Sequence, residues 1–124
     1  MQSSGDWVVV FYVEDSGSNP VNEFLKKLDV KTQARFIDSI ERLRQRNIQA
    51  REPLVRHLEG KLWELREESN TNIYRIIYFF FTGRRIVLLH GFVKKTQTTP
   101  GREIELSKRR MLNFKKREEG DLND

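Results

Sequence analysis

The chain has 124 residues and is 37% hydrophobic, with eight Phe, three Tyr and two Trp. That suffices for one domain with a modest core and argues against disorder throughout, while the absence of Cys excludes disulfides, thiolate metal sites and cysteine nucleophiles. The net charge of +5 is unevenly spread, because Arg84–Arg117 carries eleven Lys/Arg against two acids and the remaining residues hold twelve against sixteen. A positive field confined to the C-terminal third points to a polyanionic partner, nucleic acid first, or else to a solvated basic helix.

In chain order, Trp7–Val13 is a β-branched and aromatic run and predicts a strand. Ser16-Gly17-Ser18 breaks it, and Asn19-Pro20 supplies an N-cap followed by proline at the first helical position, predicting a short helix over Pro20–Leu28. Asp29 caps a second helix over Val30–Arg46, with Ala34, Phe36, Ile37, Ile40 and Leu43 as its apolar stripe. Asn47–Gly60 reads as irregular, broken by Pro53 and Gly60. Three strands follow, over Lys61–Glu67, Ile73–Phe81 and Arg84–Val93, joined by turns at Glu68–Asn72 and Thr82-Gly83. The middle one is nearly continuous in apolar residues and predicts a central strand covered on both faces. After Pro100 a basic helix is expected over Gly101–Arg117.

The expected fold is therefore α+β: a small antiparallel sheet in the order β-α-α-β-β-β-α, with the N-terminal helix hairpin packed on one face and a basic C-terminal helix. One domain spans 1–117, and 118–124 reads as a polar tail that frays. The longest apolar run, Ile76–Phe81, is far shorter than the roughly 20 residues of a bilayer crossing. The N-terminus lacks the basic start and apolar run of a signal peptide, so a soluble, cytoplasmic protein with no membrane partner is expected.

Within the sheet, Arg75 interrupts the apolar central strand, where an unpaired cation is costly. It must reach solvent, pair with a carboxylate such as Glu64, or face an anionic ligand. Arg66 ends the strand before it, and Lys94 and Lys95 follow the last strand, where a double lysine also fits a solvated turn. His90 alternates with Leu88 and Phe92, which fits a hydrogen-bonded core histidine as well as it fits a general base, and Gly91 beside it marks a close backbone approach or a bulge. Tyr78 offers a ring on which a base can stack, although aromatic residues on strands are more often core. Thr96 and Gln97 are short polar groups suited to phosphate contacts, with Lys108 and Arg109 on the basic helix as further RNA-binding candidates. His57 stands alone, and two His with scattered acids make no metal site, so neither metal nor cofactor is expected.

The strings Lys61-Leu-Trp-Glu-Leu-Arg66, Tyr74-Arg-Ile-Ile-Tyr-Phe-Phe80 and Ile86-Val-Leu-Leu-His-Gly-Phe-Val-Lys-Lys-Thr-Gln97, with Pro100, resemble the phage-derived, HigB-like branch of the RelE/ParE toxin superfamily. The resemblance covers nearly the whole chain. It implies a RelE-like fold and the toxin of a type II toxin–antitoxin system. Such a toxin is a metal-independent endoribonuclease (an mRNA interferase) that inhibits translation by cutting mRNA, usually on the ribosome, and is neutralised by a cognate helix-turn-helix antitoxin. It implies catalytic roles for Arg75, Arg66, Lys94, Lys95 and His90, with the cations stabilising the phosphate attacked by the 2′-hydroxyl. Two other functions fit the same fold: a ParE-like DNA gyrase inhibitor, and a catalytically inactive module that binds antitoxin or nucleic acid.

Overall fold

The computed structural model describes residues 6–45, 55–69 and 71–123, the side chains of 121–123 excepted. Its elements are β1 (Val8–Phe11), α1 (Pro20–Lys26), α2 (Val30–Arg44), β2 (Val55–Glu59), β3 (Leu62–Ser69), β4 (Asn72–Phe81), β5 (Arg85–Lys94) and α3 (Gly101–Asn123). The strands form one sheet in the order β1-β5-β4-β3-β2.

The helix starts follow from local chemistry. The Asn19 side chain accepts from the Asn22 amide at 3.2 Å ahead of Pro20, and Asp29 Oδ1 accepts from the Thr32 amide at 2.7 Å. Each satisfies one of the amides that a helix start leaves without an intrahelical partner.

The sheet departs from the expected meander in two ways. A further strand, β2, lies within the stretch read as irregular; it pairs antiparallel with β3 and forms an edge. Its charged, largely exposed Val-Arg-His-Leu-Glu segment carries little apolar alternation, and its register shifts between His57 and Glu59. The rest of that stretch, 47–54, lies outside the described residues. In addition, β1 pairs parallel with β5, so the sheet is mixed rather than antiparallel.

Both faces of the sheet are covered. Helices α1 and α2 pack Val21, Leu25, Phe36, Ile40 and Leu43 against Leu65, Ile76, Tyr78, Ile86 and Leu88. On the opposite face α3 sets Phe114, with Ile104 and Met111, against Leu62, Ile77, Phe79, Val87 and Leu89. As expected, β4 is central and buried on both sides. The buried stripe of α2 differs from the expected one: Thr32 and Ser39 are buried, whereas Ala34 and Ile37 are exposed. Ser39 is drawn inward because its hydroxyl donates to the buried Glu67 carboxylate of β3 at 2.6 Å. Helix α3 also runs past Arg117, so residues 118–123 of the stretch read as a tail are its last turns. Arg85 holds Glu118 there at 2.8 Å.

A bulge in β5 sets which way His90 faces. Ile77 pairs with His90 and Tyr78 with Leu88, which leaves Leu89 as the extra residue. Leu88 therefore faces α1–α2, while Leu89, His90 and Phe92 lie on the α3 side, and the expected alternation of His90 with Leu88 fails at this point. Next to the bulge, α1 crosses the sheet so closely that a Cβ on Gly91 would lie 2.4 Å from Cδ2 of Phe24. Gly91→Ala is expected to destabilise the fold by about 1–3 kcal/mol through overpacking. Phe24→Ala in the same chain should recover part of that loss. Urea unfolding of the wild type and the two variants checks this, and an unchanged midpoint for Gly91→Ala alone would contradict the packing.

Candidate functional site

On the α3 side, the registers of β3, β4 and β5 stack side chains in cross-strand rows: Glu68–Ile73–Lys94, then Arg66–Arg75–Phe92, then Glu64–Ile77–His90. Alternation places Glu64, Arg66 and Arg75 on one face, so the β3 Leu-Arg and β4 Tyr-Arg pairs bring two guanidinium groups side by side. The loop after β5, residues 95–100, closes over them.

Glu64 is the centre of this network and is fully buried. Its Oε2 accepts from Arg66 Nε at 2.6 Å, its Oε1 lies 3.4 Å from Arg75 Nε, and Oε1 also accepts from the Thr99 hydroxyl. Arg75 is 0% exposed. Its Nη2 donates to the carbonyl oxygens of Thr96 at 2.5 Å and Gln97 at 2.9 Å, and its guanidinium lies 5.8 Å from the Phe92 ring centre. Arg66 donates from Nη1 to Gln97 Oε1 at 3.1 Å and from Nη2 to the Gln97 carbonyl. Burial holds the Arg75 pKa below its ordinary value, with the Glu64 charge opposing that shift and Arg66 adding to it. Arg75 thus takes the course in which it pairs with Glu64, and it also clamps the loop. Among the described residues its Nη1 has no hydrogen-bond partner.

The remaining expected residues are distributed around this network. Lys94 is half-buried at the end of β5, and Lys95 is exposed in the loop; neither makes an ion pair among the described residues. Thr96 and Gln97 are exposed in the same loop, with the Thr96 hydroxyl turned to the Thr98 carbonyl at 3.0 Å. Tyr78 lies on the opposite face, fully buried and edge-on to Phe80, so its ring has no exposed face for a base. Lys108 is tied to Glu59 of β2 and lies 3.4 Å from Glu105. Arg109 lines a shallow hollow of about 290 Å³ with Asp15, Leu112, Asn113 and Lys116, outside the network. His57 binds the Gly60 carbonyl at 2.8 Å.

His90 stacks on Phe92 and uses both ring nitrogens. Its Nε2 lies 2.6 Å from Glu103 Oε1 in the first turn of α3, and its Nδ1 lies 3.2 Å from Arg110 Nη1. Arginine only donates, so Nδ1 is the acceptor and Nε2 carries the proton toward Glu103. Burial lowers the His90 pKa, with Glu103 opposing and Arg110 reinforcing the shift. This is a neutral, hydrogen-bonded histidine with no free lone pair for a substrate proton. Glu103 and Arg110 carry no motif. An acid in the first turn of an otherwise basic helix is the only sequence signal for that contact.

Arg110 continues to Glu14 at 2.8 Å and to the Leu89 carbonyl at 2.9 Å, while Arg117 reaches Asp15 at 2.6 Å. Part of the basic charge of α3 is therefore used to fasten that helix to the segment after β1. Among the described residues, Arg102, Arg109, Lys115 and Lys116 enter none of the ion pairs that engage Lys108, Arg110 and Arg117. No group of three or more His, Asp or Glu able to hold a metal ion occurs there, and no described helix is long and apolar enough to cross a membrane.

A family model described as Phage derived protein Gp49-like (DUF891) matches residues 23–112, more than half of the chain, and the chain belongs to that family. The matched span contains β2 to β5, the arginine network and the start of α3 through Leu112. No curated protein matches the chain significantly.

Because His90 titrates below its ordinary value near 6.5, the unfolded chain takes up that proton first as the pH falls. Its contribution to stability is thus complete above about pH 6.5 and declines below it. Urea midpoints between about pH 8 and pH 5 should fall more steeply for the wild type than for His90→Gln. Parallel pH profiles would show that His90 is not buried in its neutral form.

Proposed function

We propose that this chain is the toxin of a phage-derived toxin–antitoxin pair, with a RelE-like fold of the HigB-like branch, and that it cleaves mRNA on the ribosome. The observation that carries this reading is the Arg66–Arg75 pair: two buried cations opposite each other on the rigid centre of the sheet, with a guanidinium nitrogen still without a partner. Family membership supports the toxin–antitoxin context.

In the proposed reaction the 2′-hydroxyl gives up its proton to solvent water and attacks the adjacent phosphate, forming the O2′–P bond of a 2′,3′-cyclic phosphate as the P–O5′ bond breaks and the 5′ oxygen leaves. Negative charge builds on the phosphorane, and preorganised cations held in a low-dielectric site stabilise it without reorganising. Arg75 and Arg66 bind that charge from below. Lys94 and Lys95, at the mouth of the site, hold the flanking backbone and supply a proton donor to the leaving oxygen. His90 acts indirectly, anchoring the first turn of α3 beside the loop. Binding of a helix-turn-helix antitoxin to this chain, and action in the cytoplasm, belong to the same proposal.

The test is cleavage of a defined mRNA by purified protein on translating ribosomes, with new 5′-hydroxyl ends mapped by primer extension. Arg75→Ala should lower the cleavage rate by about 10²–10³-fold, as loss of one preorganised donor to a developing charge does elsewhere. Lys94→Ala with Lys95→Ala should lower it while leaving the urea midpoint unchanged. Full activity in Arg75→Ala would overturn the site. Intact mRNA alongside a DNA-damage response would instead favour gyrase as the target.

A further inference from the structure

The loop that follows β5 occupies the place in which the arginine pair would hold a phosphate. Three of its residues meet the network: the carbonyl oxygens of Thr96 and Gln97 accept from Arg75 Nη2, Gln97 accepts through its side-chain and carbonyl oxygens from both terminal nitrogens of Arg66, and the Thr99 hydroxyl donates to Glu64. The guanidinium groups thus face backbone carbonyls, which carry only partial negative charge. The balance is unfavourable for a buried site, since two cations share one carboxylate and Arg75 Nη1 is left without an acceptor although Arg75 is 0% exposed. A buried donor without an acceptor costs about 1–3 kcal/mol, and more where it carries charge. A phosphate would supply a full charge and several acceptor oxygens in the bidentate geometry that guanidinium favours.

We infer that residues 96–99 are an internal competitor for the anion site, latched by Thr99 on Glu64, and that a substrate phosphate binds by displacing the Thr96 and Gln97 carbonyls from Arg75 and Arg66. This rests on the reading of that pair as the phosphate-binding groups, and adds how the pair is reached. Displacement lifts a segment whose exposed members, Thr96, Gln97 and Thr98, carry hydroxyl or amide groups and follow the exposed Lys95, so the loop that leaves the arginines stays beside the bound backbone and contributes to it. Thr99 is then a positioning residue: it touches no substrate and sets the fraction of molecules open to one. The observed affinity for an anion equals the intrinsic affinity reduced by that open fraction.

The probe is inorganic phosphate, titrated into isotopically labelled full-length protein while the carbonyl carbons of Thr96 and Gln97 and the guanidinium nitrogens of Arg66 and Arg75 are followed by NMR. In the wild type the carbonyl and guanidinium signals should move together with one dissociation constant. Thr99→Val, which keeps the volume and removes the hydroxyl, should bind phosphate about tenfold more tightly, the scale of one hydrogen bond to a charged group. Thr99→Ser should behave as the wild type. Gln97→Ala, which removes one acceptor from Arg66 on an exposed loop, should tighten binding several-fold and serves if the valine variant does not fold. Unchanged or weaker binding in Thr99→Val and Gln97→Ala would overturn the inference. So would phosphate binding that leaves both carbonyl signals in place, or no phosphate binding in any of these proteins. A protein that binds phosphate in this manner yet leaves mRNA intact on ribosomes would keep the latch and overturn the nuclease reading.

Discussion

A carboxylate removed from water must be matched by charge and hydrogen bonds, and Glu64 meets that demand by drawing three parts of the chain together. Its two oxygens engage Arg66 on its own strand, Arg75 on the neighbouring strand, and Thr99 from beyond the last strand. The desolvation cost of one carboxylate and two guanidinium groups is several kcal/mol per ion, so none of the three is tolerable alone. That constraint fixes the path of the loop after β5, because the arginines need acceptors that Glu64 alone cannot provide, and the Thr96 and Gln97 carbonyls are the nearest ones. An excess of positive charge is left under that loop, and the proposed chemistry depends on it.

The sheet gives this network its rigidity, and α3 gives it a wall. The β5 bulge turns His90 toward α3, where Glu103 and Arg110 bind both of its nitrogens. Arg110 then reaches Glu14, and Arg117 reaches Asp15, so the helix is fastened to the segment following the edge strand β1. Cations that look from composition like a nucleic-acid surface thus divide into those that hold the protein together and those, such as Arg102 and Lys116, left unpaired among the described residues. Net charge alone does not separate the two groups, since it carries no information about partners distant in sequence.

Features governed by local chemistry were legible in the sequence. Asn19-Pro20 and Asp29 start helices because capping needs only the next three residues, and β4 reads as central because apolar residues on both faces leave no alternation. Features settled by distant contacts were not. β2 became a strand through pairing with β3, despite a charged and largely exposed sequence. Parallel pairing of β1 with β5 depends on residues some eighty positions apart. Period-two reasoning placed His90 with Leu88 because it assumes a regular ladder, and one extra residue at Leu89 reverses that parity. Arg75 stood out as a charge in an apolar strand, and Glu64 was a plausible partner. The clamp on the 96–99 loop had no local signal, since it is made to backbone carbonyls whose identity the side chains do not reveal.

Glu64 and Arg75 form one buried energetic unit, and a double-mutant cycle on urea unfolding with Glu64→Gln and Arg75→Met measures their coupling. Glu64→Gln leaves two buried guanidinium groups without a carboxylate and should cost about 3–5 kcal/mol, whereas Arg75→Met leaves Glu64 paired with Arg66 and should cost less. The double variant should lose clearly less than the two single losses combined, because Arg75→Met takes away one of the two cations that Glu64→Gln leaves unmatched. Losses that simply add would show that the two groups do not depend on each other and that Glu64 does not organise the network.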